Sequence, residues 1–185
     1  VGRKMIGYDL SEQNLKSIRS TILEHTNAKD SDLTLHHSDG IELAEYRDQE
    51  NIWDMVIFDP PYIFQPENYQ SNDERELGNF RDLDQFNSKL EICLKNLKRL
   101  VKPSSWKKKE FHPIVIKVGS ARKSSKGLIC MSTEVENISR KLNLTIHDKV
   151  ISVLDSQFAM FNISRCIDHK YSCKIHETTL VLIKY

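Results

Sequence analysis

A doubly wound α/β sheet is the fold class this sequence predicts, and three observations carry it. Apolar runs of strand length alternate along the chain with stretches of helical periodicity. One run, Met55-Val56-Ile57-Phe58, is cut off by Asp59-Pro60-Pro61-Tyr62, so a buried strand ends abruptly in a stiff loop. The length of 185 residues suits one well-buried domain and is short for two, so 1–185 reads as a single domain.

Taken in order, Lys4 to Tyr8 predicts a short strand ending at Asp9. Ser11 is placed to cap a helix running to about Glu24. Leu33 to His37 alternates like a second strand and stops at Ser38-Asp39-Gly40, with a short helical segment at Leu43 to Tyr46. Met55 to Phe58 is the third strand. Residues 63–81 are rich in Asn, Gln, Asp and Glu with few apolar anchors, which predicts a mobile loop long enough to have a function. Leu83, Phe86, Leu90, Cys93, Leu94, Leu97 and Val101 recur at helical spacing, and the helix should stop before Pro103.

Pro113 to Val118 is a fourth strand, and Gly119 to Leu128 a polar, basic loop. A helix at Met131 to Leu142 turns Val135, Ile138 and Leu142 inward, and Thr145–Leu154 and Thr178–Lys184 are two final strands. The stretch between them, 155–177, is expected to be a hairpin or loop that meets the substrate.

The composition, 39% hydrophobic and 29% charged, is that of a soluble globular protein, and no apolar run reaches the roughly 18 residues of a membrane span. No secretory leader is evident and the four cysteines form no disulfide framework, so reduced thiols and a cytoplasmic location are expected. The formal net charge of +1 hides an asymmetry: Lys95 to Lys126 holds eleven Lys or Arg against one acid, Glu110, whereas 39–76 is acidic. Such a division suggests one basic face able to meet phosphates, although the lysines of Trp106-Lys107-Lys108-Lys109 also fit a solvated surface.

Asp59-Pro60-Pro61-Tyr62, coming straight off its strand, resembles the catalytic loop of S-adenosylmethionine-dependent methyltransferases acting on exocyclic amino groups of DNA, chiefly adenine N6 and cytosine N4. Gly2 to Ser11, around Asp9, is similar to the second motif of those enzymes, and Ser38-Asp39-Gly40 to the third. The resemblance covers nearly the whole chain and implies a Rossmann-like class I methyltransferase sheet. It implies that Asp59 and the Pro60 carbonyl accept the two N–H bonds of the target amine, that Pro61 stiffens the loop, and that Tyr62 stacks on a flipped base. It further implies that Asp9 and Leu10 meet the cofactor ribose, that Asp39 and Gly40 meet its adenine, and that Asp59 also belongs to the cofactor-binding set. Ser38-Asp39-Gly40 would also serve as an ordinary turn.

Lys117, Arg122 and Lys123 lie after the fourth strand on the rim of Asp59, where similar enzymes approach the substrate backbone; Arg165 and Lys170 are further candidates. Cys166, His169, Cys173 and His176 are spaced so that they could hold zinc, but the pattern is not a common finger, and no metal is the primary expectation.

The resemblance also exposes a gap. The family's first strand and glycine-rich turn would precede Met5, and none of the six glycines supplies that turn. The strand belongs between those ending at Asp9 and Asp59, so it is expected from a second polypeptide or an absent N-terminal segment. The reading is therefore a site-specific DNA methyltransferase, adenine N6 ahead of cytosine N4. The alternatives are an RNA methyltransferase acting on adenine N6 or guanine N2, or a silent methyltransferase-like subunit that completes a partner.

Overall fold

The structure is a computed structural model that describes residues 3–61, 63, 73, 75–80, 82–123, 127–153 and 176–185, with the backbone alone for 121–123, 127, 128, 153 and 176. Its elements are β1 (Met5–Asp9), α1 (Glu12–His25), β2 (Leu33–His37), β3 (Val56–Phe58), α2 (Leu83–Leu100), β4 (Ile114–Gly119), β5 (Ala121–Lys123), β6 (Gly127–Ile129), α3 (Met131–Lys141), β7 (Thr145–Val153) and β8 (His176–Ile183).

β1 and β2 pair in parallel, with Met5 beside Leu33 and Asp9 beside His37. The larger sheet has the order β3-β4-β8-β7. Within it β3 and β4 are parallel, while β8 runs antiparallel to both its neighbours. The expected α/β alternation holds, with an antiparallel final strand wedged between β4 and β7. Among the described residues no ladder joins β1 to β3, and each of the two strands has a ladder on one edge only.

Local chemistry sets the helix boundaries. Ser11 caps α1 by accepting the Asn14 N–H at 3.2 Å. Asp82 caps α2 by accepting the N–H groups of Asp84 and Gln85 at 3.0 and 3.1 Å. α2 ends before Pro103, as its spacing predicts. One face of α2, formed by Phe86, Leu90, Cys93, Leu94, Leu97 and Leu100, is buried in the main core with Ile114 and Ile116 of β4 and Leu180 and Leu182 of β8. Each such side chain contributes roughly 1.5–3 kcal/mol by leaving water. α3 lies beside α2, tied to it by Asn87 to Glu134 at 2.7 Å and by Lys141 to Glu91 at 2.7 Å.

The opposite face of the sheet is thinly covered. Ile57, Val115 and Val181 stand in register across β3, β4 and β8, yet Ile57 is 72% exposed. An apolar side chain this exposed on a strand with a free edge is a surface suited to burial.

One expectation needs correction. Gly119 to Leu128 is not simply a loop, because Ala121–Lys123 and Gly127–Ile129 pair antiparallel as a hairpin. The polar sequence of that stretch carries no apolar alternation from which a strand could be read. In the 63–81 segment, Ile63 and Leu77 are 2% and 4% exposed and Leu77–Asn79 forms a 3₁₀ turn, so both ends are anchored in the core. Two apolar anchors were enough, because each falls where the core can accept it. Most of the residues between them, and 154–175, lie outside the described residues.

Candidate functional site

The carboxyl ends of β1, β2 and β3 bring Asp9, Asp39 and Asp59 into the loops that leave the strands. Asp9 closes β1 and accepts the Ser11 N–H at 2.7 Å and the Asn14 amide at 3.3 Å, so the start of α1 holds its carboxylate in place. The Leu10 carbonyl is bonded to His37 Nε2 at 2.9 Å, which ties the β1 turn to the end of β2. Asp39 makes an Asx turn, accepting the Ile41 N–H at 2.7 Å. Gly40 follows because the chain passes close to β1: a Cβ there would sit 3.1 Å from Tyr8 Cβ.

Glu76, from the segment after β3, joins this group. Burial pushes its carboxyl up, and the charges of Asp9, Asp73 and Asp39 add to the shift. Next to it Arg75 forks onto Asp73 at 2.9 and 2.6 Å, holding the Asp73 carboxyl down at about 2. Glu76 was not legible as a site residue, since a lone glutamate in an acidic loop carries no motif.

Asp59 follows β3, whose Phe58 lies beside Ile116, so the next position on β4 is Lys117. Lys117 Nζ sits 2.8 Å from Glu177 Oε2 at the start of β8. The Asp59 carboxyl is pushed up by burial; the Lys117 charge pulls it down and the Glu177 charge pushes it up. Pro60 is buried and Pro61 half-buried, so the loop after Asp59 is fixed against the fold. Glu177 was missed because only the antiparallel register of β8 brings it to this rim.

Tyr62, Arg165, Cys166, Lys170, His169 and Cys173 lie outside the described residues, and so do the side chains of Arg122, Lys123 and His176. Among the described residues no cluster suited to a metal ion exists, and no helix is long and apolar enough to cross a membrane.

No protein-family model matches the chain, and no curated protein matches its sequence. Solved structures do match. PvuII DNA methyltransferase, a cytosine-N4-specific enzyme, superposes with a TM-score of 0.56 at 13% identity, covering 80% of this chain and 48% of its own. An S-adenosylmethionine-dependent methyltransferase from Methanosarcina mazei gives a TM-score of 0.56 at 10% identity, over 99% of this chain and 82% of that one. The fold is the Rossmann-like fold of methyltransferases.

A candidate DNA modification methylase from Thermus thermophilus, solved with S-adenosyl-L-methionine, gives 0.53 at 18% identity over 80% of this chain. The chain spans about half the length of this structure, 53%, and 48% of the PvuII enzyme.

Proposed function

We propose that this chain forms the catalytic core of an S-adenosylmethionine-dependent DNA amino-methyltransferase, with adenine N6 as its target. The observation that carries the reading is the position of Asp59. Its carboxylate stands in the loop after β3, next to the Pro60 carbonyl, with Asp9 and Asp39 in the loops after β1 and β2.

The donor set fits the cofactor. Asp9, Asp39 and Glu76 offer only hydrogen-bond acceptors when ionised, and the ligand brings ribose hydroxyls, an adenine amine and a cationic sulfonium. Asp9 would take the ribose hydroxyls and Asp39 the adenine amine. The cofactor supplies an electrophilic methyl group on sulfur.

The work of the chain is then on the acceptor. An exocyclic amine is a poor nucleophile because its lone pair is delocalised into the ring. Asp59 and the Pro60 carbonyl accept its two N–H bonds and favour a pyramidal nitrogen, which localises the lone pair toward the methyl group. Tyr62 would stack on the extruded base. Arg122, Lys123, Arg165 and Lys170 are proposed for the phosphates. Lys117, already paired with Glu177, tunes Asp59 as well as facing the backbone.

The free edges of β1 and β3 and the exposed Ile57 support one more element of the reading: a further strand, bearing the glycine-rich turn, would pair with both. It would come from a preceding segment or a partner chain. The deciding experiment measures transfer of labelled methyl to duplex DNA, single-stranded DNA and tRNA, with the chain alone and with that strand restored. Transfer to adenine in DNA, abolished by Asp59→Ala, is expected; equal transfer by the Asp59→Ala variant overturns the reading.

A further inference from the structure

The lysine-rich stretch between α2 and β4 is a built hairpin. Ser105 and Glu110 exchange backbone bonds at 2.9 and 3.0 Å, and Trp106-Lys107-Lys108-Lys109 form its tip. A cleft of about 310 Å³ opens beside it, lined among others by Ser104, Trp106, Glu110, Phe111, His147 and Tyr185. That is near the lower end of the roughly 300–1,000 Å³ typical of small-ligand sites.

Four rings from three parts of the chain converge there. The Trp106 indole N–H donates to the Tyr185 hydroxyl at 2.6 Å. His147 lies with its ring 5.5 Å from Trp106 and 5.0 Å from Phe111. His147 is also the extra residue of a β-bulge: Ile146 pairs with Leu182 and Asp148 with Val181, leaving His147 unpaired between them. A bulge re-aims a side chain, and this one directs its ring toward the hairpin.

These rings are held in place, yet they are not buried. Trp106 is 68% exposed, Phe111 48% and Tyr185 59%. Among the described residues Lys107, Lys108 and Lys109 have no ion-pair partner, and Glu110 is the only acidic side chain in the lining. Exposed aromatic faces beside unpaired lysines suit a ligand with both π-faces and phosphates. A duplex hides its base faces, and a purely apolar ligand would leave the lysines unused, so the match is single-stranded nucleic acid.

The location is separate from the site above. The hairpin precedes β4, whereas Asp59 follows its parallel neighbour β3, so the two lie at opposite ends of the sheet. Asp59 is level with Lys117, the fourth residue of β4, so the stretch of β4 from Ile114 to Lys117 alone puts on the order of 10 Å between them.

We propose that this cleft is a second, non-catalytic site that binds a single-stranded nucleic-acid segment. A base stacks among Trp106, His147 and Phe111, and the flanking phosphates meet Lys107, Lys108 and Lys109. The site stands independently of the methyl-transfer reading, because none of its residues belongs to the Asp59 rim.

The test uses the 185-residue chain and a fluorescently labelled oligo-dT of about a dozen nucleotides. Binding tighter than that of the matching duplex, with quenching of tryptophan emission, is expected. Trp106→Ala should abolish the quenching and weaken binding about tenfold. The triple variant Lys107→Glu, Lys108→Glu, Lys109→Glu should weaken it at least as much and flatten its salt dependence. Trp106 and the three lysines are exposed, and an unchanged circular dichroism spectrum shows that the variants fold. Asp59→Ala should bind the oligonucleotide normally, which separates this site from catalysis. Wild-type affinity in both cleft variants overturns the proposal. So does tryptophan emission that follows protein dilution and ignores the oligonucleotide, which would make the cleft a contact between two copies.

Discussion

Lys117 and Glu177 form an ion pair of 2.8 Å across β4 and β8, and both charges act on Asp59 with opposite signs. Lys117 is the position on β4 next to Asp59, while Glu177 enters two residues further along, opposite Gly119. The pair is thus a setting for the carboxylate proposed to hold the target amine, and the setting can be moved from either side.

Glu177→Gln removes the charge that pushes the Asp59 carboxyl up and frees Lys117 to act on it, so Asp59 should ionise at lower pH than in the parent. Lys117→Met removes the charge that pulls it down and should move ionisation to higher pH. Since the ionised form is the acceptor, activity is lost as pH falls through the Asp59 pKa. The acid limb of the pH–rate profile should therefore shift down in Glu177→Gln and up in Lys117→Met. Shifts in one common direction would show that the pair does not act through Asp59.

Asp59→Asn keeps the size of the side chain but removes the charge and replaces one acceptor with a donor. A loss of about 10²-fold or more in kcat is expected, of the order that positioned acid–base groups contribute. S-adenosylmethionine affinity, measured by calorimetry on the same protein, should change far less, since Asp9 and Asp39 are untouched.

Cys130 is exposed at the N-terminus of α3, with its Sγ 3.2 Å from the Ser132 hydroxyl. Hydrogen bonds from Ser132 and Thr133 pull its thiol down to about 7, whereas burial pushes Cys93 up to about 12. Iodoacetamide should label Cys130 with half-maximal rate near pH 7 and leave Cys93 unlabelled in the folded protein. Ser132→Ala should move the Cys130 profile to higher pH, as read by peptide mass spectrometry.

Asp82→Ala deletes the acceptor for two N–H groups at the start of α2 and should cost about 1 kcal/mol, seen as a lower urea midpoint at unchanged slope. Leu94→Ala, at a fully buried position on the same helix, should cost about 2–5 kcal/mol. The contrast separates a surface cap from the core it orients.

Ile57→Thr tests the open side of the sheet. With 72% of Ile57 exposed, the change should alter the stability of this chain by no more than about 0.5 kcal/mol. Once the proposed additional strand is in place, the same change should lower stability by clearly more. An equal effect in both states would mean that nothing covers Ile57.

The sequence by itself determined the elements and the acids that end them. Periodicity located α1, α2 and α3, and the apolar runs located β1, β2, β3, β4, β7 and β8, because both signals are written within a few consecutive residues. Asp9, Asp39 and Asp59 were legible for the same reason, each falling at the end of such a run. Only the tertiary structure decided that β8 sits between β4 and β7, and this is what carries Glu177 to Lys117. It also decided that Glu76 joins Asp9 and Asp39, and that a bulge at His147 meets Trp106. Those relationships link residues between about 30 and 70 positions apart, and their register is set by which faces pack together, a property of the assembled sheet that no local run of side chains encodes.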